Sequence, residues 1–469
     1  MIVEQIYTGC LAQGAYYIES NGEAAVIDPL RAVQSYIDMA SRNGAKVKYV
    51  LETHFHADFV SGHVDLAKKT GAKIVFGPKA EPAFDAYIAN DGEILPLGDI
   101  SIKVLHTPGH TFESTCYLLI NADGKPCCVF TGDTLFIGDV GRPDLAQKGN
   151  ITEKDLAGML FESLNTKLKK LPDDVIVYPA HGAGSACGKN MSRETWDTIG
   201  NQKKVNYALR AETKEQFISE VTDGLAPPPY YFPENVKLNK TGYESFDSVL
   251  ERSFKALQPR EISFLVSEET ALILDTRHQN DFVQGFIPGS VFIGIGGDFA
   301  PWVGTLIRDI HQPLIIVADP GKEQEVITRL SRVGYDNVLG YLEGGMEIWK
   351  MSGGELDNIE TITADNLGSL VNNDQETNIF DVRREGEYEA EHVENARFTP
   401  LSYLNDHMEA FQREGSNYIH CASGFRSVIA ISILKARGIH NVVNIGGGFK
   451  AIKESGAVPV TDFVCSSAQ

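Results

Sequence analysis

No apolar run in this chain of 469 residues reaches the length of a membrane span. The opening stretch, Met1 to Gln13, carries Glu4 and no lysine or arginine, so it lacks the basic n-region of a secretory signal and a cytoplasmic location is expected. Positive charge is in deficit. Lysine and arginine number 42 against 63 acidic residues, a formal net charge of -21, and the long-range repulsion this implies argues against nucleic acid or an anionic membrane surface as a partner. Cysteine is scarce and irregular. The 7 residues, at positions 10, 116, 127, 128, 187, 421 and 465, are odd in number and lack the spacing of a disulfide framework, so reduced thiols are expected. None falls between Cys187 and Cys421.

What is present is ordinary globular composition, 43% hydrophobic and 22% charged, over a length that suits about three domains. The densest chemistry lies in Leu51 to His63, L-E-T-H-F-H-A-D-F-V-S-G-H. An apolar run from Val47 to Leu51 feeds His54, His56 and Asp58, and imidazole with carboxylate suits zinc or iron better than magnesium or calcium. Around it, Ala15 to Ile18 and Ala24 to Asp28 read as a hairpin, Leu30 to Arg42 and His63 to Thr70 as helices, and Ala72 to Phe76 as a strand.

Three further strands end on polar clusters. Ile100 to Leu105 runs into His106-Thr-Pro-Gly-His110, Cys127 to Gly132 ends on Asp133, and Val175 to Ala180 ends on His181. These four clusters, T-H-F-H-A-D, H-T-P-G-H, F-T-G-D and Y-P-A-H, resemble in order and spacing the motif set of the metallo-β-lactamase fold. The resemblance implies an αββα sandwich with a metal at the sheet edges. In the glyoxalase II-like hydrolases of this fold a two-zinc site uses H-x-H-x-D-H; here the last position is Phe59, which argues for a single metal.

For one metal, resemblance to persulfide dioxygenases implies His54, His110 and Asp133 as ligands of one Fe(II) per chain, with His56, Asp58 and His181 around them. Two imidazoles and one carboxylate leave positions open, as non-heme Fe(II) sites do. The competing assignment is a mononuclear zinc with His56 as a fourth ligand. Arg142, in Gly138-Asp-Val-Gly-Arg-Pro-Asp144, resembles the substrate-facing arginine of those dioxygenases; a buried pair with Asp144 is its alternative. Cys187 either lines the metal cavity or is a small buried residue.

Beyond a charged helical region read over residues 191 to 221, four prolines between Ala226 and Pro233 mark a domain margin, and Gly242 to Leu257 reads as a further helix. A repeat of about 100 residues follows. Ala271-Leu-Ile-Leu-Asp-Thr-Arg277 matches Ile379-Phe-Asp-Val-Arg383, and Leu342-Glu-Gly-Gly-Met346 matches Ile445-Gly-Gly-Gly-Phe449. Both units resemble rhodanese domains. Only the second has the active loop, Cys421-Ala-Ser-Gly-Phe-Arg-Ser427, where backbone N–H groups at a helix start favour a thiolate or persulfide and Arg426 supplies charge for an anionic substrate. The C-x4-R spacing suits sulfur, whereas related phosphatases carry C-x5-R. In the first unit Asp319 is read in the place of the cysteine, which makes that unit silent.

The expected architecture is therefore α/β throughout: a metallo-β-lactamase-fold persulfide dioxygenase domain over 1–235, a helical connection over 236–256, an inactive rhodanese-like domain over 257–357 and an active one over 358–469. The resemblance implies oxidation of a low-molecular-weight thiol persulfide by O2 to sulfite, with Cys421 carrying sulfane sulfur to sulfite to give thiosulfate, or running in reverse from thiosulfate. A two-zinc thioester hydrolase and a sulfur-responsive binding protein are the alternatives. The thiol carrier (glutathione, coenzyme A, bacillithiol or cysteine) and any homo-oligomer stay open.

Overall fold

Alternation along the first hairpin decides how the N-terminal part folds. Tyr16, Ile18, Ala25 and Ile27 face one side, where they pack with Ile102, Val104, Tyr117, Leu119 and Phe130 of a second sheet. Ala15, Tyr17, Ala24 and Val26 face the other, where they meet Val33, Tyr36, Ala40 and Leu66 from helical segments. A strand with both faces apolar must be covered on both, and two sheets back to back with helices outside satisfy it. Each large apolar side chain fully buried this way contributes about 1.5–3 kcal/mol.

The computed structural model describes residues 1–147, 151–372, 377–411 and 414–464; Cys465 lies outside the described residues. The chain divides into two units, Met1–Val249 with Ser331–Gly334, and Leu250–Leu330 with Tyr335–Gln469. In the first, one six-stranded sheet runs in the order Ile2–Thr8, Gln13–Ser20, Glu23–Ile27, Lys46–Leu51, Lys73–Phe76, Tyr87–Ile88. The other runs Asp197–Thr198, Ile176–Pro179, Pro126–Gly132, Thr115–Ile120, Ile100–His106, Ile94–Leu97. Its outer face packs Leu118, Val129 and Val177 against Leu160, Leu164 and Phe217. This is the αββα sandwich of the metallo-β-lactamase fold.

Strand direction brings the polar clusters to one edge. Ile27 and Leu51 are partners in a parallel pair, so Asp28 and Glu52 leave the sheet side by side. Gly132 and Pro179 are partners in another, which sets Asp133 and His181 together. Thr115 N–H donates to Thr53 O across the two sheets at 2.9 Å, tying the edges to each other.

Three segments differ from the sequence expectation. Residues 192–196 form no helix, and the helical part is broken into Ile199–Val205, Tyr207–Arg210 and Lys214–Thr222. Asn206 causes the first break: its side chain accepts from Ala208 N–H at 3.0 Å and donates to Asp139 O at 3.0 Å, replacing helix continuation by a cap. The stretch 242–257 holds a shorter helix, Phe246–Ser253, and then a strand, Ala256–Leu257, paired with Tyr341 and Leu342. Residue 235, expected as a boundary, lies inside the helix Phe232–Thr241, which takes the last of the four prolines, Pro233, into its first turn and belongs to the first unit.

The second unit contains two five-stranded parallel sheets with one topology. The first orders Ala256–Leu257, Val338–Leu342, Leu314–Val317, Leu272–Asp275, Val291–Phe292; the second orders Thr361–Ile362, Val442–Ile445, Asn417–His420, Asn378–Asp381, Arg397–Phe398. These are the two rhodanese-like repeats. No helix among the described residues is long and apolar enough to cross a membrane.

Candidate metal centre and candidate sulfur-transfer loop

His54, His110 and Asp133 are buried and offer ligand atoms within 4.8 Å of one another. The Nε2 atoms of His54 and His110 lie 3.8 and 3.4 Å from Asp133 Oδ2. What fixes them is the opposite nitrogen of each ring. His110 Nδ1 sits 2.8 Å from the Arg142 carbonyl oxygen, so Nδ1 carries the proton and Nε2 keeps its lone pair. His54 Nδ1 sits 3.0 Å from Thr53 Oγ1, whose hydroxyl donates to Asp28 Oδ2 at 2.8 Å while Thr53 N–H donates to Asp28 Oδ1 at 2.8 Å. Burial, reinforced by the neighbouring imidazoles His56, His110 and His181, pushes the His54 pKa well down and keeps the ring neutral, the form that binds a metal.

Both oxygens of Asp133 are buried without a hydrogen-bond partner. A carboxylate left so costs several kcal/mol, and a cation held between it and the two Nε2 atoms removes that cost. The donor set fits a divalent transition metal. Glycine makes the approach feasible: Gly132 has φ 51°, and a Cβ there would lie 2.5 Å from Thr53 Oγ1. A Cβ at Gly141 would lie 2.0 Å from the Asp133 carbonyl oxygen and 3.0 Å from His110 Nδ1.

His56, Asp58 and His181 form a second buried group beside the first. His181 Nε2 is 3.3 Å from Asp58 Oδ2 and 3.6 Å from Asp133 Oδ1. His56 leans the other way, its Nε2 3.1 Å from Asp28 Oδ1 and 3.6 Å from Glu52 Oε2. Burial works against its protonation, but Asp28 and then Glu52 outweigh burial and push its pKa up to about 9. Phe59, fully buried, lays its ring against His56 with centroids 4.2 Å apart, and its centroid is 6.5 Å from that of His181.

Arg142 requires a correction. Its guanidinium is only 5% exposed and is spent on protein groups: Nε and Nη2 each donate to Asp144 at 2.7 Å, Nη1 to Ala186 O at 3.2 Å and Nη2 to Ala226 O at 2.6 Å. The alternative of a buried pair with Asp144 is the arrangement found, and the residue's link to the metal centre is its carbonyl on His110. Cys187 is a buried residue whose sulfur lies within 4.8 Å of ligand atoms of Asp133 and His181, and it is held as a thiol chiefly by burial, with Asp58 and Asp133 adding to the effect.

Asp28, Thr53 and Asn239 were missed by motif reasoning. Asn239 Nδ2 donates to the carbonyls of His56 and Phe59, both at 2.8 Å, and its Oδ1 accepts from Ser61 N–H at 2.8 Å, pinning the histidine loop. Asp28 had a signal, since it too ends an apolar strand at the same edge. Asn239 had none.

In the second unit, Cys421 follows the strand Asn417–His420 and precedes the helix Phe425–Ala436, and is only 1% exposed. Gly424, at φ 106°, turns its N–H onto Cys421 Sγ at 3.1 Å, and Ser427 Oγ lies 3.7 Å from the sulfur. Behind the loop, Phe449 N–H donates to Cys421 O at 2.6 Å and Lys450 N–H to Ala422 O at 3.1 Å. Arg426 reaches Glu387 with Nη1 and Nη2 at 2.6 and 2.8 Å, a partner the sequence did not announce.

The first repeat also needs a correction. Asp275 pairs with Val317 as Asp381 pairs with His420, so the residue in the place of Cys421 is Ala318 and Asp319 comes one position later. Gly321 and Gly424, both at positive φ, keep the same offset. The absence of a sulfur-carrying side chain stands; the residue responsible changes.

Comparison with known proteins bears on both units. The family described as the metallo-beta-lactamase superfamily matches residues 8–181, and the rhodanese-like domain matches residues 259–352 and 363–455. A probable hydroxyacylglutathione hydrolase, glo2 of Schizosaccharomyces pombe, is 34% identical over 161 residues, covering 34% of this chain and 58% of that protein. The hydroxyacylglutathione hydrolase of Prochlorococcus marinus is 31% identical over 222 residues, covering 42% of this chain and 86% of that protein. This chain thus spans about three-fifths of the yeast relative's length. Among solved structures, a metallo-beta-lactamase from Staphylococcus aureus is similar with a TM-score of 0.64 and 29% identity, covering 73% of this chain and 98% of that one. With its sandwich, its strand-end histidines and these matches together, the chain belongs to the metallo-beta-lactamase superfamily and carries two rhodanese-like domains after that domain.

Proposed function

We propose that this protein is a persulfide dioxygenase joined to a sulfurtransferase. His54, His110 and Asp133 would hold one Fe(II), which when bound supplies a redox-active centre with open coordination positions for O2-dependent chemistry. One thiol persulfide in its anionic form, one O2 and one water yield one thiol, one sulfite dianion and one proton. Thr53, through Asp28, and the Arg142 carbonyl keep the two imidazoles in the tautomer that presents Nε2. Asp58, His181 and His56 lie beside these residues and would orient ligands or solvent there. Cys421 takes sulfane sulfur onto its thiolate and passes it to sulfite, giving thiosulfate, or takes it from thiosulfate in the reverse direction.

The observation that carries this reading is Phe59. A two-metal hydrolase of this fold needs an imidazole at that position, and here an aromatic ring packs against His56 at a tilt instead. The sulfur-transfer half is supported by the N–H of Gly424 aimed at Cys421 Sγ.

A second reading has its own support. His56, Asp58 and His181 still bring three ligand types together, and the curated relatives named above are hydroxyacylglutathione hydrolases, so a two-zinc thioester hydrolase remains the competing assignment. Phe59→His separates the two. In a one-iron enzyme it restores the missing ligand and is expected to raise bound metal from about one to about two per chain with a fall in O2 uptake. A parent protein that already binds two metals and cleaves S-acyl thiols would reverse the assignment.

A further inference from the structure

The loop from Cys421 to Arg426 contains one basic side chain, and that side chain is already occupied. Arg426 Nη1 donates to Glu387 Oε2 at 2.6 Å and Nη2 to Oε1 at 2.8 Å, a two-pronged pairing, the strongest form of charge-assisted hydrogen bond. Glu387 is fixed from its own side as well, because it accepts the Arg384 N–H at 3.0 Å in the cap of the helix Glu385–Ala390. The side chains are 16% and 33% exposed, so water screens the pair only in part. Burial pushes the Glu387 carboxyl up, and the Arg426 and Arg384 contacts more than reverse this, so the carboxylate stays charged. The cation expected to attract a sulfur oxyanion is therefore largely cancelled beside the nucleophile.

We propose that Glu387 is a specificity-determining residue of the sulfur-transfer loop: by occupying both terminal nitrogens of Arg426 it selects against dianionic donors and acceptors, such as thiosulfate and sulfite, relative to singly charged or neutral ones. The proposal rests on the sulfur-transfer reading of Cys421. In the loading step the Cys421 thiolate attacks the outer sulfur of thiosulfate, one S–S bond forms as another breaks, and the electron pair leaves with sulfite. The dianion must then either bind beside a carboxylate or displace it from Arg426, and both raise the concentration needed for transfer. The silent repeat has nothing to balance. By the same offsets Asp281 stands where Glu387 does and Glu323 where Arg426 does, so both positions are acidic there.

The test uses the full-length protein and Glu387→Gln, whose amide can still accept the Arg384 N–H. Alkylation of Cys421 by iodoacetate and by iodoacetamide reads the local charge without needing turnover. The ratio of the anionic to the neutral rate is expected to rise about fivefold to tenfold in E387Q, to shrink with added salt, and to fall back in the double variant E387Q/R426A. An unchanged ratio, or equal acceleration by both reagents as a merely loosened loop gives, overturns the proposal. The thiosulfate concentration for half-maximal persulfide on Cys421, read by mass, is expected to fall by a similar factor with the maximal rate within about twofold. A value unchanged or raised overturns the proposal even where alkylation is slow. A raised alkylation ratio with no persulfide formed in parent or variant supports the charge discrimination and removes the sulfur-transfer reading alone.

Discussion

The first rhodanese-like repeat keeps the buried pair Asp275–Arg277 and the second keeps Asp381–Arg383, in nearly the same geometry. Arg277 Nη2 lies 2.6 Å from Asp275 Oδ2 and donates to Gly285 O at 2.9 Å; Arg383 Nη2 lies 2.6 Å from Asp381 Oδ2 and donates to Glu391 O at 2.7 Å. Yet the strand end beside them carries Ala318 in one repeat and Cys421 in the other. An ion pair retained in a repeat that has no sulfur carrier belongs to the frame. On the proposed sulfur-transfer reading the reacting thiol belongs to the loop from Cys421 to Ser427, with its positive-φ glycine and its N–H on sulfur.

The largest effect that separates the repeats is expected at Cys421. Cys421→Ser should lower sulfur transfer by about a thousandfold or more, because a serine hydroxyl stays protonated and forms no persulfide. O2 uptake with a supplied persulfide should persist, and sulfite should accumulate where the parent gives thiosulfate. Product analysis checks it, and loss of O2 uptake in this variant would show that the two sites are not independent. In the reverse direction the same variant should consume O2 with persulfide but not with thiosulfate plus thiol.

The frame is tested by removing its ion pair from each repeat in turn. Arg277→Ala and Arg383→Ala each strand a buried aspartate, and each is expected to cost about 3 kcal/mol of stability by denaturant unfolding. Similar losses support a shared frame. A harmless Arg277→Ala beside a costly Arg383→Ala would mean the pair serves the sulfur site after all. The smallest effect is expected from Ala318→Cys, which places a thiol in the silent loop and should leave sulfur transfer within about twofold of the parent. Glu323 in the place of Arg426 disfavours a thiolate there. Persulfide trapped on residue 318 would contradict that account.

These pairs also mark what could be read from the chain alone. The sandwich and the gathering of the candidate metal residues were legible because His54, His110, Asp133 and His181 each follow an apolar run, and the parallel pairs of strands deliver such ends to one edge. The loop around Cys421 was legible because its spacing is local. Contacts set by tertiary packing were not. Arg142 offered two roles, and only the placement of Asp144, Ala186 and Ala226 around its guanidinium decided between them. Glu387 lies 39 residues from Arg426, and Asn239 lies 183 residues from His56, with no motif joining either pair. The shift from Asp319 to Ala318 needed the strand register, which loop similarity alone does not provide.

The measurement that bears most directly on the central claim is the metal content of anaerobically purified protein, taken together with O2 uptake on a small thiol persulfide. About one iron per chain is expected, with uptake that depends on persulfide, and His110→Ala should lose both metal and uptake. Two zinc ions per chain, with hydrolysis of an S-acyl thiol and no persulfide-dependent uptake, would contradict it.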